Sequence, residues 1–157
     1  MAKIVSNVID VYPFRRDRSR AEFLLLKRAP ASRLANTWQA VHGHVEADET
    51  AWQAALRELE EETGLKPIGF WQIDRVNTFY VAAEDTVLMC PCFAAEIARD
   101  DPVRLSCEHS DFRWEDAESA QRICLWPGQR RALREILSEI ITPGVAEPHL
   151  RIPPQPH

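Results

Sequence analysis

The segment spanning residues 43–65 constrains the fold more than any other part of the chain. Within it, the run Arg57-Glu58-Leu59-Glu60-Glu61-Glu62 places four carboxylates in the five positions 58–62. The surrounding alanine and leucine residues favour a helix, but like charges three or four residues apart each destabilise a helix by roughly a few tenths of a kcal/mol. The last two glutamates would also lie near the helix C-terminus, where the helix dipole disfavours anions. Such a helix is expected to have a cation beside it.

Helical geometry places three of these carboxylates on one face. Because each residue is rotated by about 100°, Glu61 lies at roughly −60° and Glu62 at roughly +40° from Glu58. Glu60 falls at roughly 200°, on the opposite side. Hard divalent cations such as Mg²⁺, or Mn²⁺ as a substitute, take oxygen ligands of this kind. The face therefore predicts a metal site, and the alternative is a solvated charged face neutralised by Arg57 and by basic residues elsewhere.

Composition limits the classes of function. The chain has 157 residues, which suits one domain, and 45% of them are hydrophobic, which excludes disorder as the main state. The formal net charge is −5, which argues against binding a nucleic acid polymer or a membrane surface, since both depend on basic patches. A phosphorylated small molecule stays compatible with this charge if metal ions neutralise it.

The four cysteines predict no metal or disulfide framework. Cys90 and Cys92 lack the two-residue gap of a zinc knuckle, and with Cys107 and Cys124 they are interpreted as small buried side chains in a reducing compartment. The first residues lack the pattern of a signal peptide, and no apolar run is long enough to span a membrane. We therefore expect a cytoplasmic protein.

The order of predicted elements indicates a mixed α/β (α+β) domain. A helix is predicted from Asp48 or Glu49 to Thr63, with Gly64 as its C-terminal stop. Two later helices are predicted over residues 116–122 and 129–141, and Gln129 is assigned to a solvated helix start. Strands are predicted over residues 4–13, 22–27, 37–42, 70–76, 78–82, 86–97, 103–105 and 111–114. Pro91 predicts an edge strand or a bulge. We expect a domain over residues 1–141, followed by a proline-rich tail over residues 142–157 that is extended on the surface or disordered.

The segment 43–65 resembles the signature of the Nudix hydrolase family. That signature is glycine, five residues, glutamate, seven residues, then Arg-Glu-aliphatic-any-Glu-Glu-any-Gly-aliphatic. Every specified position is met, by Gly43, Glu49, Arg57, Glu58, Leu59, Glu61, Glu62, Gly64 and Leu65. The resemblance implies a Nudix-like αβα sandwich with a mixed central sheet. It also implies an enzyme that hydrolyses a phosphoanhydride bond of a nucleoside diphosphate derivative, often as a homodimer.

The resemblance assigns roles to several residues of this chain. It implies that Glu58, Glu61 and Glu62 are metal ligands, that the backbone near Gly43 supplies a further ligand, and that Arg57 pairs with Glu49. Either Glu58 or Glu62 would orient or deprotonate the attacking water. The chain departs from the common pattern at His42 and Asp48, where many members have glycine. These departures alter the loop and bear on substrate shape more than on catalysis.

Two flanking segments resemble one branch of the family. The run from Trp38 to Glu46, and Glu108-His109 followed by Phe112-Arg113-Trp114, are similar to dihydroneopterin triphosphate pyrophosphohydrolase and dATP pyrophosphohydrolase. In that branch the acidic residue before the histidine is a remote metal ligand. The resemblance therefore implies Glu108 as the further ligand, ahead of Glu96 and Glu84.

Substrate contacts are predicted on both sides of the signature. Each candidate has an ordinary structural alternative, which is solvated charge for the basic residues and packing or loop structure for the others. The candidates are Lys27 and Arg28 for phosphates, Trp38 for base stacking, His42 for a substrate contact, and Phe79 and Tyr80 for the base pocket. The leading hypothesis is a Mg²⁺-dependent pyrophosphohydrolase acting on a nucleoside triphosphate or a pterin triphosphate. The alternatives are a dinucleoside polyphosphate hydrolase and, against the complete carboxylate set, a non-catalytic nucleotide sensor.

Overall fold

The computed structural model describes residues 1–18 and 20–153, which form the strands and helices of a mixed domain, as predicted. The strands are β1 (Lys3–Val5), β2 (Val8–Asp17), β3 (Arg20–Arg28), β4 (Trp38–Gln39), β5 (Val41–His44), β6 (Gly69–Val81), β7 (Thr86–Glu96) and β8 (His109–Asp116). The helices are α1 (Ala51–Thr63), α2 (Ala117–Ile123), α3 (Pro127–Ile136), which continues as a π-helical turn (Leu137–Ile141), and α4 (Glu147–Leu150). A short 3-10 turn (Ala82–Glu84) joins β6 to β7.

The strands form one mixed sheet with β2 near its middle. Strand β2 runs parallel to β7 and antiparallel to both β3 and β5. Strand β7 is antiparallel to β6 and parallel to β1, while β3 is antiparallel to β4 and β8. Because successive side chains of a strand point to opposite faces, each strand contributes to two apolar layers.

Each face of the sheet packs against helices. Helix α1 covers one face, where its Leu59 joins Ile9, Val11 and Leu24 in a buried cluster. Helices α2 and α3 cover the other face, where the cluster includes Tyr12, Phe14, Ala120 and Leu133. This arrangement confirms the predicted αβα sandwich with a mixed central sheet.

Helix α1 begins later than predicted. The N-cap is Thr50, whose hydroxyl accepts from the Gln53 backbone N–H while the Gln53 side chain accepts from the Thr50 backbone N–H. Asp48 has a φ of 71° and so cannot be helical. Gly64 ends the helix as predicted, with a φ of 71° and its N–H bonded to the Glu60 carbonyl at 2.8 Å.

The predicted strand over residues 103–105 is wrong. The backbone N–H of Arg104 donates to the Thr63 carbonyl at 2.8 Å, and that of Ser106 donates to the Glu62 carbonyl at 3.2 Å. The segment thus satisfies carbonyls at the end of α1, which have no partner within the helix. A backbone used in this way does not join the sheet.

Pro91 lies in an interior strand rather than at an edge. It is opposite Val76, at the end of a register shift in β6. On the other side of β7, pairing with β1 ends at Leu88 and pairing with β2 begins at Cys92. The missing N–H of proline therefore falls at a break in the ladder, so the predicted bulge is present while the edge position is wrong.

The described part of the predicted tail packs against β6. Trp71 Nε1 donates to Glu147 Oε1 at 2.7 Å, and the Ile152 backbone N–H donates to the Phe70 carbonyl at 2.8 Å. Residues 154–157 of the tail lie outside the described residues, and the domain boundary at residue 141 stays a prediction. In the described ranges, no helix combines the length and apolar character needed to cross a membrane.

The cysteines follow the predicted burial with one exception. Cys90, Cys92 and Cys124 are buried, whereas Cys107 is exposed. All four are free thiols. Burial raises the pKa of Cys124 to about 11, so this thiol stays protonated near neutral pH.

Candidate active site

Arg57 connects the loop before α1 to the carboxylates on the helix. Its guanidinium donates to both carboxylate oxygens of Glu49, at 2.7 and 3.1 Å, and to the His44 carbonyl at 2.8 Å. It also donates to Glu58 at 3.0 Å and to Glu61 at 3.1 Å. The hydrogen bond to Glu49 is the main cause that raises the pKa of Arg57 and lowers that of Glu49. One cation therefore holds three carboxylates and the loop together.

Glu58 lies against the backbone of Gly43 in β5. A Cβ atom added to Gly43 would overlap the Glu58 side chain and come within 2.6 Å of its Oε1. The glycine is thus required by the close approach of the carboxylate to the strand. The structure brings together the glycine and the glutamate that the signature separates by fourteen residues.

Glu62 is the most buried member of the carboxylate group. It is 4% exposed, and its Oε2 has no hydrogen-bond partner among the residues that the structure describes. Burial, followed by the negative charges of Glu58 and Glu108, raises the pKa of Glu62 to about 9. At neutral pH the metal-free protein therefore holds this carboxyl in its protonated form.

His109 faces Glu62 across a short gap. Its Nδ1 lies 4.0 Å from Glu62 Oε2 and, within residues 1–18 and 20–153, also has no hydrogen-bond partner. Burial and the nearby Arg28 lower the pKa of His109, whereas the pKa of Glu62 is raised. Both shifts favour the neutral forms, so this contact in the metal-free protein is not an ion pair. Glu108 was among the predicted ligands, whereas His109 was not among the predicted site residues.

The remaining predicted ligands are more accessible. The Glu61 side chain is 58% exposed, and Glu108 is exposed while its backbone carbonyl accepts from Ala29. Glu60 lies away from the group, where it pairs with Lys66 at 3.1 Å. The donor set of Glu58, Glu61 and Glu62 consists of oxygens, and one of these oxygens is buried without a partner. This chemistry fits a hard divalent cation.

A second polar network lies on the opposite face of the sheet and was missed by the sequence analysis. Asp10 is 4% exposed. One carboxylate oxygen lies 2.8 Å from His42 Nδ1, and the other accepts from the Tyr12 hydroxyl and from Gln129 Nε2, at 3.2 and 3.3 Å. The assignment of Gln129 to a solvated helix start is therefore wrong, because α3 packs its first turn onto the sheet. A charged residue among the apolar residues of β2 was the available signal.

His42 belongs to the Asp10 network, and charges on the carboxylate side also act on its ring. Burial lowers the pKa of His42, but the hydrogen bond to Asp10 and the negative charges of Asp10 and Glu58 together outweigh burial and raise that pKa. Its Nδ1 is occupied by Asp10. With Cys90, these two residues place three potential metal-ligand atoms within 4.8 Å of one another. Because both oxygens of Asp10 already accept hydrogen bonds, the group is a hydrogen-bonded network that fixes the orientation of His42.

Two basic side chains lie over the Trp38 ring on the α3 side of the sheet. Lys27 Nζ lies 5.9 Å from the centre of a Trp38 ring, and Arg113 Cζ lies 4.7 Å from it. Arg113 was not among the predicted residues. By contrast, Arg28 pairs in register with His109 and belongs to the carboxylate side. The two adjacent basic residues of β3 are therefore separated by the sheet.

Phe79 and Tyr80 point to opposite faces of β6. Phe79 shares a face with Asn77, which is opposite Cys90, and therefore lies on the side of the Asp10 network. Tyr80 points to the other face, where its hydroxyl donates to Asp85 at 2.9 Å. Asn77 is 7% exposed, and in the described part of the chain its Oδ1 has no hydrogen-bond partner. The structure thus separates the two predicted pocket residues.

A mixed sheet between helices, with a carboxylate-bearing helix against a strand glycine, is the Nudix fold. Residues 7–136 match the model of the NUDIX domain. The chain belongs to the Nudix hydrolase family, as the signature predicted. Membership in this family supports hydrolase activity on phosphorus anhydrides.

Curated relatives cover most of this chain. An asymmetrical bis(5′-nucleosyl)-tetraphosphatase from Caenorhabditis elegans is 31% identical over 123 residues, which cover 78% of this chain and 87% of that protein. An octanoyltransferase from Myxococcus xanthus is 34% identical over 116 residues, which cover 73% of this chain. The chain spans about a third of the length of the latter relative, because the match covers 32% of it.

Solved structures share the fold. A binary complex of the Ap4A hydrolase from C. elegans has a TM-score of 0.73 at 26% identity, and the match covers 88% of this chain and 98% of that chain. The dihydroneopterin triphosphate pyrophosphohydrolase from E. coli has a TM-score of 0.68 at 24% identity, over 90% and 99% of the two chains. At that identity, the second likeness shows the fold alone.

Proposed function

We propose that this chain hydrolyses a phosphoanhydride bond of a nucleoside polyphosphate with Mg²⁺ as cofactor and Mn²⁺ as a substitute. The observation that carries the proposal is the buried, unpartnered Oε2 of Glu62 beside Glu58 and Glu61 on one helix face. A buried carboxylate oxygen without a hydrogen bond is costly. A hard cation bound by the Glu62 carboxylate would offset this cost and the repulsion within the group.

The proposed cation ligands come from two segments of the chain. They are Glu58, Glu61, Glu62, Glu108 and the backbone carbonyl of Gly43. When bound, the cation neutralises phosphate charge and lowers the pKa of bound water. A general base must lie within hydrogen-bond reach of the attacking water. Either Glu58 or Glu62 takes this role and accepts the proton from that water. Arg57 keeps Glu58 and Glu61 in place through the contacts described above.

The first substrate class proposed is a dinucleoside tetraphosphate. Water would split it into a nucleoside triphosphate and a nucleoside monophosphate. Sequence identity to the C. elegans tetraphosphatase over most of both chains supports this choice. This order of substrate classes is the reverse of the one that the flanking motifs indicated. The reason is that the identity to the dihydroneopterin triphosphate pyrophosphohydrolase is lower, at 24%. A nucleoside or pterin triphosphate, cleaved to a monophosphate and pyrophosphate, is the second class, favoured by the run from Trp38 to Glu46.

The proposed substrate path continues from the carboxylates past His42 to the other face of the sheet. There, Lys27 and Arg113 supply positive charge for phosphates, and Phe79 supplies an aromatic surface for a base. Arg28 serves the phosphates on the carboxylate side. Tyr80 is left out of the pocket because it points away from it. The homodimer and the cytoplasmic location stay predictions.

Product analysis tests the proposal. The chain is incubated with diadenosine tetraphosphate or dATP, with Mg²⁺, and the products are identified by mass. ATP and AMP from the first substrate support the first class, and dAMP with pyrophosphate from the second supports the other. Glu62→Gln should lower the rate at least about 100-fold. The matched variant Glu60→Gln should leave it unchanged, because Glu60 lies away from the group. An active Glu62→Gln variant would contradict the site, and tight binding without turnover would favour the sensor.

A further inference from the structure

Two of the buried side-chain atoms without a hydrogen-bond partner face each other across the candidate metal site. Within residues 1–18 and 20–153, these atoms are Glu62 Oε2, His109 Nδ1 and Asn77 Oδ1. The first two lie 4.0 Å apart. Buried polar atoms are nearly always paired, and an unpaired one costs about 1–3 kcal/mol. Two such atoms in one gap suggest a contact that is completed in another state of the same site.

The backbone fixes where His109 stands. The residue begins β8 opposite Arg28, where the register between β3 and β8 shifts. Its backbone N–H donates to the Ser106 carbonyl at 3.3 Å. A bulge of this kind re-aims a side chain, and here the imidazole is directed inward while the side chain of Glu108 stays exposed. With the backbone placed in this way, rotation of the His109 or Glu62 side chain would close the gap.

We propose that His109 is a positioning residue that donates its Nδ1–H to Oε2 of Glu62 when that carboxylate binds the divalent cation. This rests on the proposed function. A hydrogen bond needs about 2.8–3.0 Å between the two atoms, so a movement of about 1 Å completes it. Carboxylates that bind metals are held by such outer hydrogen bonds, and loss of one lowers metal affinity by about 10- to 100-fold. His109 thereby fixes which oxygen of Glu62 is left for the cation.

Two amide variants separate a donor at Nδ1 from simple burial. The side-chain nitrogen of asparagine occupies the same place along the side chain as Nδ1, whereas that of glutamine reaches the place of Nε2. His109→Asn therefore keeps the proposed donor, His109→Gln moves it, and His109→Leu removes it. His149→Asn is the matched control, because His149 is exposed in α4.

The readout is Mn²⁺ affinity in the absence of substrate, measured by the electron paramagnetic resonance signal of free Mn²⁺. We expect affinity near wild type for His109→Asn, and a loss of about 10- to 100-fold for His109→Gln and His109→Leu. Urea unfolding of the same proteins shows whether each variant is folded under the conditions of the Mn²⁺ measurement.

Wild-type affinity in His109→Leu would overturn the assignment. Equal losses in all three variants would also overturn it, because a donor kept at the place of Nδ1 in His109→Asn would then make no difference. Equal affinities in the two amide variants would reject Nδ1 as the donor atom. If the wild-type chain binds no Mn²⁺, the proposed metal site itself fails, which distinguishes that result from a failure of the assignment of His109 alone.

Discussion

Replacing Glu62 by glutamine should stabilise the metal-free protein at neutral pH. Burial raises the pKa of Glu62 from 4.5 to about 9. Because the folded-state pKa is the higher one, the stabilisation from the bound proton is complete below pH 4.5 and is lost as pH rises toward 9. Glutamine has nearly the same shape and cannot ionise, so the variant does not lose this stability.

The size of the effect follows from the pH interval. Each pH unit between the two pKa values is worth about 1.4 kcal/mol. At pH 7, about 2.5 units above the unfolded value, the wild-type chain has lost about 3 kcal/mol relative to the variant. At pH 5 the difference falls to about 0.8 kcal/mol. The gain from Glu62→Gln therefore increases with pH across this range.

Urea unfolding at pH 5 and pH 7, with EDTA present, measures these differences. Glu60→Gln is the control, because it makes the same change at an exposed site on the same helix and should stay within about 0.5 kcal/mol of wild type. If Glu62→Gln gives no stabilisation at pH 7, or the same change at both pH values, then Glu62 is not a buried carboxyl with a raised pKa. Excess Mg²⁺ should reverse the order, because the wild-type chain would bind it more tightly.

Three further predictions concern other parts of the site. Gly43→Ala should weaken Mn²⁺ binding and slow hydrolysis at least about tenfold, because the added Cβ would displace the Glu58 side chain. A wild-type Mn²⁺ affinity and a wild-type rate of hydrolysis would contradict the close approach of Glu58 to Gly43. Asp10→Leu should lower the free energy of unfolding by about 1–3 kcal/mol in urea, because buried donors lose their acceptor, and an unchanged midpoint would argue against the network. Phe79→Ala should raise KM for the nucleotide about tenfold, while Tyr80→Ala should not. Equal effects of the two substitutions on steady-state kinetics would contradict the assignment of the two faces.

Helix α1 was the most predictable part of the molecule. Its face of three carboxylates depends only on the rotation per residue, so spacing alone separated Glu60 from Glu58, Glu61 and Glu62. Gly64 could be predicted as the stop because a left-handed C-cap favours glycine. The start was missed by two or three residues, although Thr50 and Gln53 form a capping box whose spacing is visible in the sequence.

The errors elsewhere share one cause, which is competition between local pattern and tertiary contacts. Residues 103–105 have the composition of a strand, but their N–H groups are used by the end of α1. Gln129 follows Pro127 at a helix start that looks solvated, yet its amide reaches Asp10, 119 residues away in sequence. A pattern of neighbouring residues cannot indicate a contact between residues so far apart in the sequence.

The sequence by itself determined the family, the layer order and the identity of the carboxylates that share a face, because these depend on short-range spacing and on a dense motif. The tertiary structure alone decided how those carboxylates differ. It buried Glu62 against His109, left Glu61 exposed, and placed Asp10 beneath His42. These properties depend on desolvation and on atoms brought together by strand pairing, and both exist only once the sheet and its helices have packed.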